Sequence, residues 1–231
     1  DDVRAVAISE NGDYVSAGVY NAKVYLFGKD SSTALWSYDT GNLNIETIDI
    51  SADGNYIVAA GEDKKVRLFS KDSSTPIWTV TFGTRVSSVA ISADGEYIAL
   101  GNLGNRIYLF DKDSSTSLWD YDAYGDVTSV AISADGEYIV AGTDGDSTNK
   151  RLHLFDKDSS TPLWSYSNSN AYIDSVDISE DGEYIVAGSK NDGVYLFDKD
   201  SNIPMWDYTT GHDVSAVSVS ADGKYIAAGS Y

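Results

Sequence analysis

The sequence predicts an all-β protein made of repeated four-stranded antiparallel units, and three observations predict this fold class. A phrase built around an Asp-Gly or Asn-Gly turn recurs six times, and a phrase that leads from Phe to Trp recurs five times. Short runs rich in Val, Ile and Tyr flank both phrases. Such runs, bounded by turn residues, are typical of strands, and no window shows helical periodicity.

The first phrase is represented by ISADGEYIALG at 91–101, and its successive turn glycines lie 41 to 46 residues apart. A turn of this type favours a tight hairpin, because glycine adopts a positive φ without steric cost. Each copy therefore predicts two adjacent strands. The turn glycines are Gly12, Gly54, Gly95, Gly136, Gly182 and Gly223.

The second phrase is represented by FDKDSSTPLW at 155–164, and the step from Phe to Trp is nine residues in every copy. Its Asp and Ser side chains can hydrogen-bond within their own turn, which predicts a second hairpin. Because the Phe and Trp keep one phase in every unit, we predict that they pack between neighbouring units and that both loops are structural joints. The tryptophans are Trp36, Trp78, Trp119, Trp164 and Trp206.

Four antiparallel strands in a period of about 41 residues predict a β-propeller. We interpret residues 1–231 as a single domain with five full repeats of four strands and a half repeat of two strands, which makes 22 strands. The half repeat leaves strand edges without a partner. We therefore predict that the chain is either a part of a larger ring or a subunit of an assembly. The repeats are predicted at 1–41, 42–83, 84–124, 125–170 and 171–211, with the half repeat at 212–231.

The repeat phrases also resemble known families. ISADGEYIVAG at 132–142 resembles the first hairpin of WD40-type and YVTN-type propeller repeats. LFDKDSSTPLWSY at 154–166 resembles the second hairpin of the PQQ-like, or quinoprotein-like, repeat, in which a strand ends in Trp and packs against the next blade. The acidic repeats are most similar to those of archaeal and bacterial surface proteins, which implies an extracellular or cell-surface location.

The charge of the chain limits its partners. The net charge is −20 and the pI is about 4.1, so the protein repels phosphate backbones and anionic lipid surfaces. We therefore expect no nucleic acid and no membrane insertion, but a protein or a surface polymer as partner, together with self-association through the open blade edges. The chain has no cysteine, which excludes disulfides and thiolate metal sites.

The loops that differ between units are the expected binding surface, because a repeated scaffold leaves function to its variable loops. The fourth unit carries four additional residues within TDGDSTNKR at 143–151. We predict a recognition spot there, formed by Arg151 and Tyr172 with Asp144, Asp146 and Asn149. The three oxygen-bearing side chains, Asp144, Asp146 and Asn149, are candidate calcium ligands. The alternative is a tolerated surface insertion.

Two acidic residues occupy a position that holds alanine or serine in the other units. Asp49 and Asp177 lie in the first strands, which line the central channel, so these residues are candidates for binding an ion or a polar ligand. The alternative is that main-chain N–H groups or water satisfy both carboxylates.

Catalytic motifs are absent from the sequence, and the only histidines, His153 and His212, lie in different units. We therefore predict a non-enzymatic interaction or structural module without a cofactor other than calcium. One alternative is a quinoprotein-like oxidoreductase, or another enzyme such as a lyase, with its site in the channel. A second alternative is an excised fragment of a longer propeller.

Overall fold

The computed structural model describes residues 2–20, 22–41, 43–145, 151–167, 172–190 and 193–231. In these residues the chain forms 22 strands and no helix, and hence no helix that could cross a membrane. The strands form five four-stranded antiparallel sheets and one two-stranded sheet, each in chain order. This arrangement confirms the predicted all-β propeller of five blades and a half blade.

The first strand of each blade lies beside the first strand of the next blade and lines the channel. These first strands are β1 (Val3–Ile8), β5 (Ile45–Ile50), β9 (Val86–Ile91), β13 (Val127–Ile132), β17 (Ile173–Ile178) and β21 (Val214–Val219). The second strands are β2 (Tyr14–Val19), β6 (Tyr56–Gly61), β10 (Tyr97–Asn102), β14 (Tyr138–Thr143), β18 (Tyr184–Ser189) and β22 (Ile226–Ser230).

The outer hairpin of each full blade contains the third and fourth strands. The third strands are β3 (Lys23–Gly28), β7 (Lys65–Ser70), β11 (Arg106–Asp111), β15 (Leu152–Asp156) and β19 (Gly193–Asp198). The fourth strands are β4 (Trp36–Asp39), β8 (Trp78–Thr81), β12 (Ser117–Asp122), β16 (Trp164–Tyr166) and β20 (Trp206–Thr209). In the PQQ-like repeat a strand ends in tryptophan. Here, in contrast, the fourth strand begins at its tryptophan in four blades, and in β12 the tryptophan is the third residue.

The first turn of each blade is closed by its own side chains, as in the fourth blade. The hydroxyl of Ser133 donates to Asp135 Oδ1 at 2.7 Å and accepts from the Tyr138 N–H at 3.0 Å. Gly136 adopts φ of 72°, which favours glycine. The sequence Ser-x-Asp-Gly-x-Tyr therefore determines this hairpin locally.

A β-bulge interrupts the start of the first strand in every blade, where the chain enters from the preceding blade. The additional residue has no partner across the ladder, so its side chain is free to differ between blades. The residues at this position are Arg4, Glu46, Ser87, Thr128, Asp174 and Ser215.

The hydrophobic core is divided into clusters that each join two consecutive blades. Between the second and third blades, Trp78 stacks on Phe110 with ring centroids 5.8 Å apart. The same Trp–Phe contact recurs at three other junctions, as predicted. Trp206 differs: within the described residues β21 and β22 form a two-stranded sheet without an outer hairpin, and this tryptophan is 41% exposed.

Candidate functional site

Each blade presents loops on two opposite faces. We call the side with the Asp-Gly turns and the Lys-Asp-Ser loops the turn face. The variable face is the opposite side, with the loops between second and third strands and the connections between blades. The turn-face loops repeat almost unchanged in sequence, whereas the variable-face loops differ from blade to blade.

The variable face exposes large apolar and aromatic side chains. Their exposed fractions range from 37% to 66%, and they come from five different loops. Sequence reasoning identified only Tyr172 among them. A large apolar or aromatic side chain within a polar turn is the signal that could have found the other four. These residues are Tyr20, Leu43, Leu103, Tyr124 and Tyr172.

Several charged groups on the variable face form ion pairs. Arg85 Nη2 lies 3.6 Å from Glu46 Oε1 and 3.4 Å from Glu62 Oε1, which joins the second and third blades. Lys190 Nζ lies 2.9 Å from Asp174 Oδ1. These carboxylates neutralise cations that would otherwise be available to an anionic ligand.

In the fourth blade the structure brings the predicted residues Arg151 and Tyr172 together. The guanidinium carbon of Arg151 lies 4.6 Å from the centroid of the Tyr172 ring. Arg151 is only 3% exposed, so it supports the tyrosine and does not present a charge at the surface. The half-exposed Tyr172 ring is the part of this pair that a partner can reach.

The predicted calcium ligands are only partly described. Asp144 is exposed, whereas Asp146 and Asn149 lie outside the described residues. Burial raises the pKa of the neighbouring Asp126, and the negative charge of Asp144 raises it further. In the described part of the chain, no group of three His, Cys, Asp or Glu side chains is placed to hold a metal ion.

The channel carboxylates link the first strands of neighbouring blades. Asp49 accepts hydrogen bonds from the N–H groups of Ile50 and Ile91, both at 2.9 Å. Asp177 accepts equivalent bonds from Ile178 and Val219, both at 2.9 Å. Both oxygens of each carboxylate therefore accept a main-chain N–H group. This is the alternative to ion binding that the sequence analysis gave for Asp49 and Asp177.

The same carboxylates have perturbed acidity. Removal from bulk water in the channel wall raises the pKa of Asp49 to about 6, although its two N–H donors act in the opposite direction. The charge of Asp177 contributes to this rise of the pKa, but less than burial does. The pKa of Asp177 is also raised by burial.

At the turn face the channel ends in a cavity of about 230 Å³. Its lining consists of five isoleucines, three alanines and two glutamates. A quinone cofactor that carries carboxylates requires cations or hydrogen-bond donors, and side chains of this kind do not line the cavity. The lining residues therefore do not fit such a cofactor.

A buried Ser–His pair lies between the strands of the fourth blade. His153 Nδ1 lies 2.9 Å from Ser165 Oγ, and the two residues are 2% and 8% exposed. The imidazole also packs against Tyr121 of the preceding blade, with ring centroids 5.4 Å apart. The pair is thus a part of a blade junction that a substrate in solution cannot reach.

The turn face also carries an exposed apolar position that sequence reasoning missed. The residue immediately before each tryptophan is large and apolar, and it is 49% to 56% exposed. Because this position is nearly the same in every blade, it cannot distinguish one blade from another. The residues are Leu35, Ile77, Leu118, Leu163 and Met205.

Comparisons with known proteins support the repeat assignment. The family described as outer membrane protein assembly factor BamB (PQQ_2) matches residues 62–229, which is more than half of the chain. The WD domain, G-beta repeat family (WD40) matches residues 34–70, from just before β4 of the first blade to the end of β7 of the second. A search of the curated proteins finds no match.

The two matches confirm the predicted resemblance to WD40 and PQQ-like repeats. Propeller modules of these families generally mediate protein interactions, and the architecture of this chain fits such a module. Because the BamB match extends from the outer hairpin of the second blade to residue 229 in the half blade, which is more than half of the chain, the chain belongs to the PQQ_2, or BamB-like, family of propeller repeats.

Proposed function

We propose that the protein is a non-enzymatic interaction module whose variable face binds a protein partner. The observation that carries this proposal is the set of five exposed apolar and aromatic side chains on loops that all differ in sequence. Exposed tyrosines give large contact areas at a low cost in conformational entropy, and such residues dominate the energetics of many interfaces.

Rigid blades support this mode of binding. At four junctions the tryptophan of one blade donates a hydrogen bond to a main-chain carbonyl of the next blade, at 2.6 to 2.8 Å. The loops are therefore held by a scaffold that changes little, which lowers the ordering cost of binding. Arg151 contributes in the same way, because its guanidinium group supports the ring of Tyr172.

The charges favour apolar anchoring over ionic anchoring. Arg85 and Lys190 are already paired with carboxylates of the protein, and such exposed pairs contribute little energy. The net charge of −20 adds a general repulsion toward anionic surfaces. A protein partner with an apolar centre fits this face better than a polyanion does.

The experiment compares two matched double variants in affinity capture from an extract of the source cells. Tyr20→Arg with Tyr124→Arg changes the variable face, and Leu118→Arg with Leu163→Arg changes the turn face to a similar degree. We expect one stoichiometric protein to be retained by the wild type and by the turn-face variant, and to be lost from the variable-face variant. Loss from the turn-face variant alone would move the site to the turn face.

The non-enzymatic role is supported by the burial of the His153–Ser165 pair and by the lining of the channel end, whose Ile, Ala and Glu side chains offer no cation and no hydrogen-bond donor. Incubation with pyrroloquinoline quinone and calcium tests it directly. We expect no quinone absorbance in the protein after gel filtration. A stoichiometric quinone absorbance would establish a quinoprotein and overturn this part of the proposal.

We place the protein outside the cell or on its surface, as the resemblance to acidic surface repeats suggests. Digestion of intact source cells by an added protease, followed by immunodetection, tests this location. A protein that is degraded only after lysis would contradict it. Calcium binding in the fourth blade stays a prediction, and titration calorimetry on the wild type and on Asp144→Asn tests it.

A further inference from the structure

The fourth strand of each full blade is the outer edge of its sheet, so it pairs with another strand on one side only. Four of these edge strands are three or four residues long, whereas β12 (Ser117–Asp122) has six residues. The third blade lies between two other four-stranded blades of the chain. The long edge of β12 is therefore a feature of the rim of the propeller, and it differs from the rims of the other blades.

The prolines of the chain show why β12 is longer. Pro76, Pro162 and Pro204 are the only prolines in the sequence, and each lies two residues before the tryptophan of its blade. Proline has no N–H group, and natural proteins use it to protect exposed strand edges from pairing. The third blade has Ser117 at this position, and β12 begins at this serine. Proline thus blunts three edges and leaves the edge of β12 open.

The main-chain groups on this edge follow from the register of β11 and β12. The N–H of Ala123 donates to Asn105 O at 2.7 Å, so the main-chain groups of every second residue before it, Tyr121 and Trp119, also face β11. The N–H and C=O groups of Asp120 and Asp122 face the opposite way. In the part of the chain that the structure describes, no second strand pairs with them.

The side chains of the same two residues make this edge acidic. The carboxylates of Asp120 and Asp122 are 43% and 42% exposed, and both lie beside Arg106. The guanidinium group pairs with Asp120, and its Nη2 lies 3.8 Å from Asp122 Oδ2. One cation thus faces two carboxylates and leaves a net negative charge. No other blade has an acidic residue at both of these positions.

We propose that an extended, basic segment of a partner protein binds along β12 and becomes a fifth strand of the third blade. The outward N–H and C=O groups of Asp120 and Asp122 bind the main chain of this segment, as in other cases of strand addition. Lysine or arginine side chains opposite Asp120 and Asp122 supply the missing positive charge, because opposite charges stabilise cross-strand pairs.

A second copy of the chain fits this edge less well. Pairing β12 with β12 would place four carboxylates on one pair of strands, and each copy carries a net charge of −20. The edge also lies on the rim of the propeller and not on the variable face. The proposal therefore does not depend on the proposed function, and either can fail alone.

The probe is the labelled heptapeptide Thr-Lys-Thr-Lys-Thr-Lys-Thr, which reads the same in both directions and so fits either strand orientation. Fluorescence anisotropy at low salt measures its binding to the 231-residue chain. We expect saturable 1:1 binding. The same peptide with methylated lysine main-chain nitrogens keeps its charge but loses the N–H donors that face β12, so it should bind at least about tenfold more weakly. The heptapeptide with glutamate in place of lysine should not bind.

Two matched variants locate the site. Ser117→Pro introduces the residue that three other blades have at this position, so we expect it to fold, which circular dichroism will check. It should bind the lysine peptide about tenfold more weakly, because the proline shortens the edge that the peptide can pair with. Ala34→Pro makes the same change in the first blade, whose strand β4 begins only at Trp36, and should bind like the wild type.

Hydrogen exchange gives a second measurement that does not need a variant. At saturating lysine peptide, the amide N–H groups of Asp120 and Asp122 should exchange at least about tenfold more slowly than in the free protein. Unchanged exchange of both amides would place any binding elsewhere and overturn the proposal.

Four further results would also overturn it. The first is no saturable binding of the lysine peptide to the wild type. The second is equal binding of the methylated or the glutamate peptide, which would exclude strand addition or a basic partner. The third is undiminished binding by folded Ser117→Pro. The fourth is a wild type that dimerises in sedimentation equilibrium when Ser117→Pro does not, which would assign the edge to a second copy.

Discussion

The indole Nε1 of Trp78 donates a 2.8 Å hydrogen bond to the main-chain carbonyl oxygen of Lys112 in the next blade. Its ring stacks on Phe110 of that blade at the same time. The Lys-Asp-Ser loop is thus more than a hairpin joint, because it also holds the tryptophan of the preceding blade. The stacking buries apolar area, and the hydrogen bond gives the indole N–H an acceptor in the next blade.

This relationship predicts unequal roles for equivalent tryptophans. Trp78 is 9% exposed, so Trp78→Ala should lower the free energy of unfolding by about 3–5 kcal/mol. Trp206→Ala, at the same phase but at a side chain that is 41% exposed, should cost less than about 1 kcal/mol. Urea unfolding followed by far-ultraviolet circular dichroism measures both. Equal losses in the two variants would contradict the junction described here.

A second matched pair tests the tyrosine–glycine contact. Gly12→Ala should cost about 1–2 kcal/mol, since only the positive φ opposes the methyl group. Gly136→Ala has the same φ cost, and its methyl group also collides with the ring of Tyr97, which should add about 1–3 kcal/mol. Thermal unfolding at a low protein concentration measures the difference, and a cost that is equal at both sites would exclude the contact.

A third prediction concerns the pH dependence of stability. The pKa of Asp49 is about 6 in the folded protein and close to 3.8 in the unfolded chain, so the folded state binds more protons between these values. The free energy of unfolding therefore falls as the pH rises from about 4 to about 6, by at most about 3 kcal/mol from this group. Asp49→Ala should lack this component.

Urea unfolding of both proteins at pH 4, 5, 6 and 7 tests the prediction. Alanine is a matched replacement, because Ala7, Ala90 and Ala131 occupy the same position in other blades. As the pH rises, the free energy of unfolding of the wild type should fall relative to that of Asp49→Ala. A difference that stays constant across this range would refute the raised pKa of Asp49.

A fourth prediction separates exposed from buried ion pairs. Arg85 is 45% exposed in its side chain and should lose less than about 1 kcal/mol on replacement by alanine, with the loss vanishing at 1 M salt. Arg67 pairs with Asp63 inside the protein, and both are less than 10% exposed. Arg67→Ala leaves the Asp63 carboxylate without its partner, so it should cost about 3–5 kcal/mol at any salt concentration. Calorimetric unfolding at two salt concentrations measures both losses.

The candidate binding surface was only partly predictable from sequence. The variable loops were identified because they alone escape the repeat, and Tyr172 was singled out with them. Arg151 was predicted to form part of a recognition spot, and the structure buries it against Tyr172. For Asp49 the sequence left open an ion ligand or a carboxylate satisfied by main-chain N–H groups, and its oxygens accept the N–H groups of Ile50 and Ile91. Tyr172 follows Arg151 after a variable connection and Ile91 lies in the next blade, so sequence spacing does not reveal either contact.

The sequence by itself determined the strand order, the four-stranded unit and the phase of the Phe and Trp residues. Those features are local, since turn residues and short runs rich in Val, Ile and Tyr define each hairpin without reference to the rest of the chain. Only the tertiary structure decided which equivalent residues are buried. Trp78 and Trp206, or Val89 and Val6, share one phase, but they differ in exposure because burial depends on whether a neighbouring blade covers them.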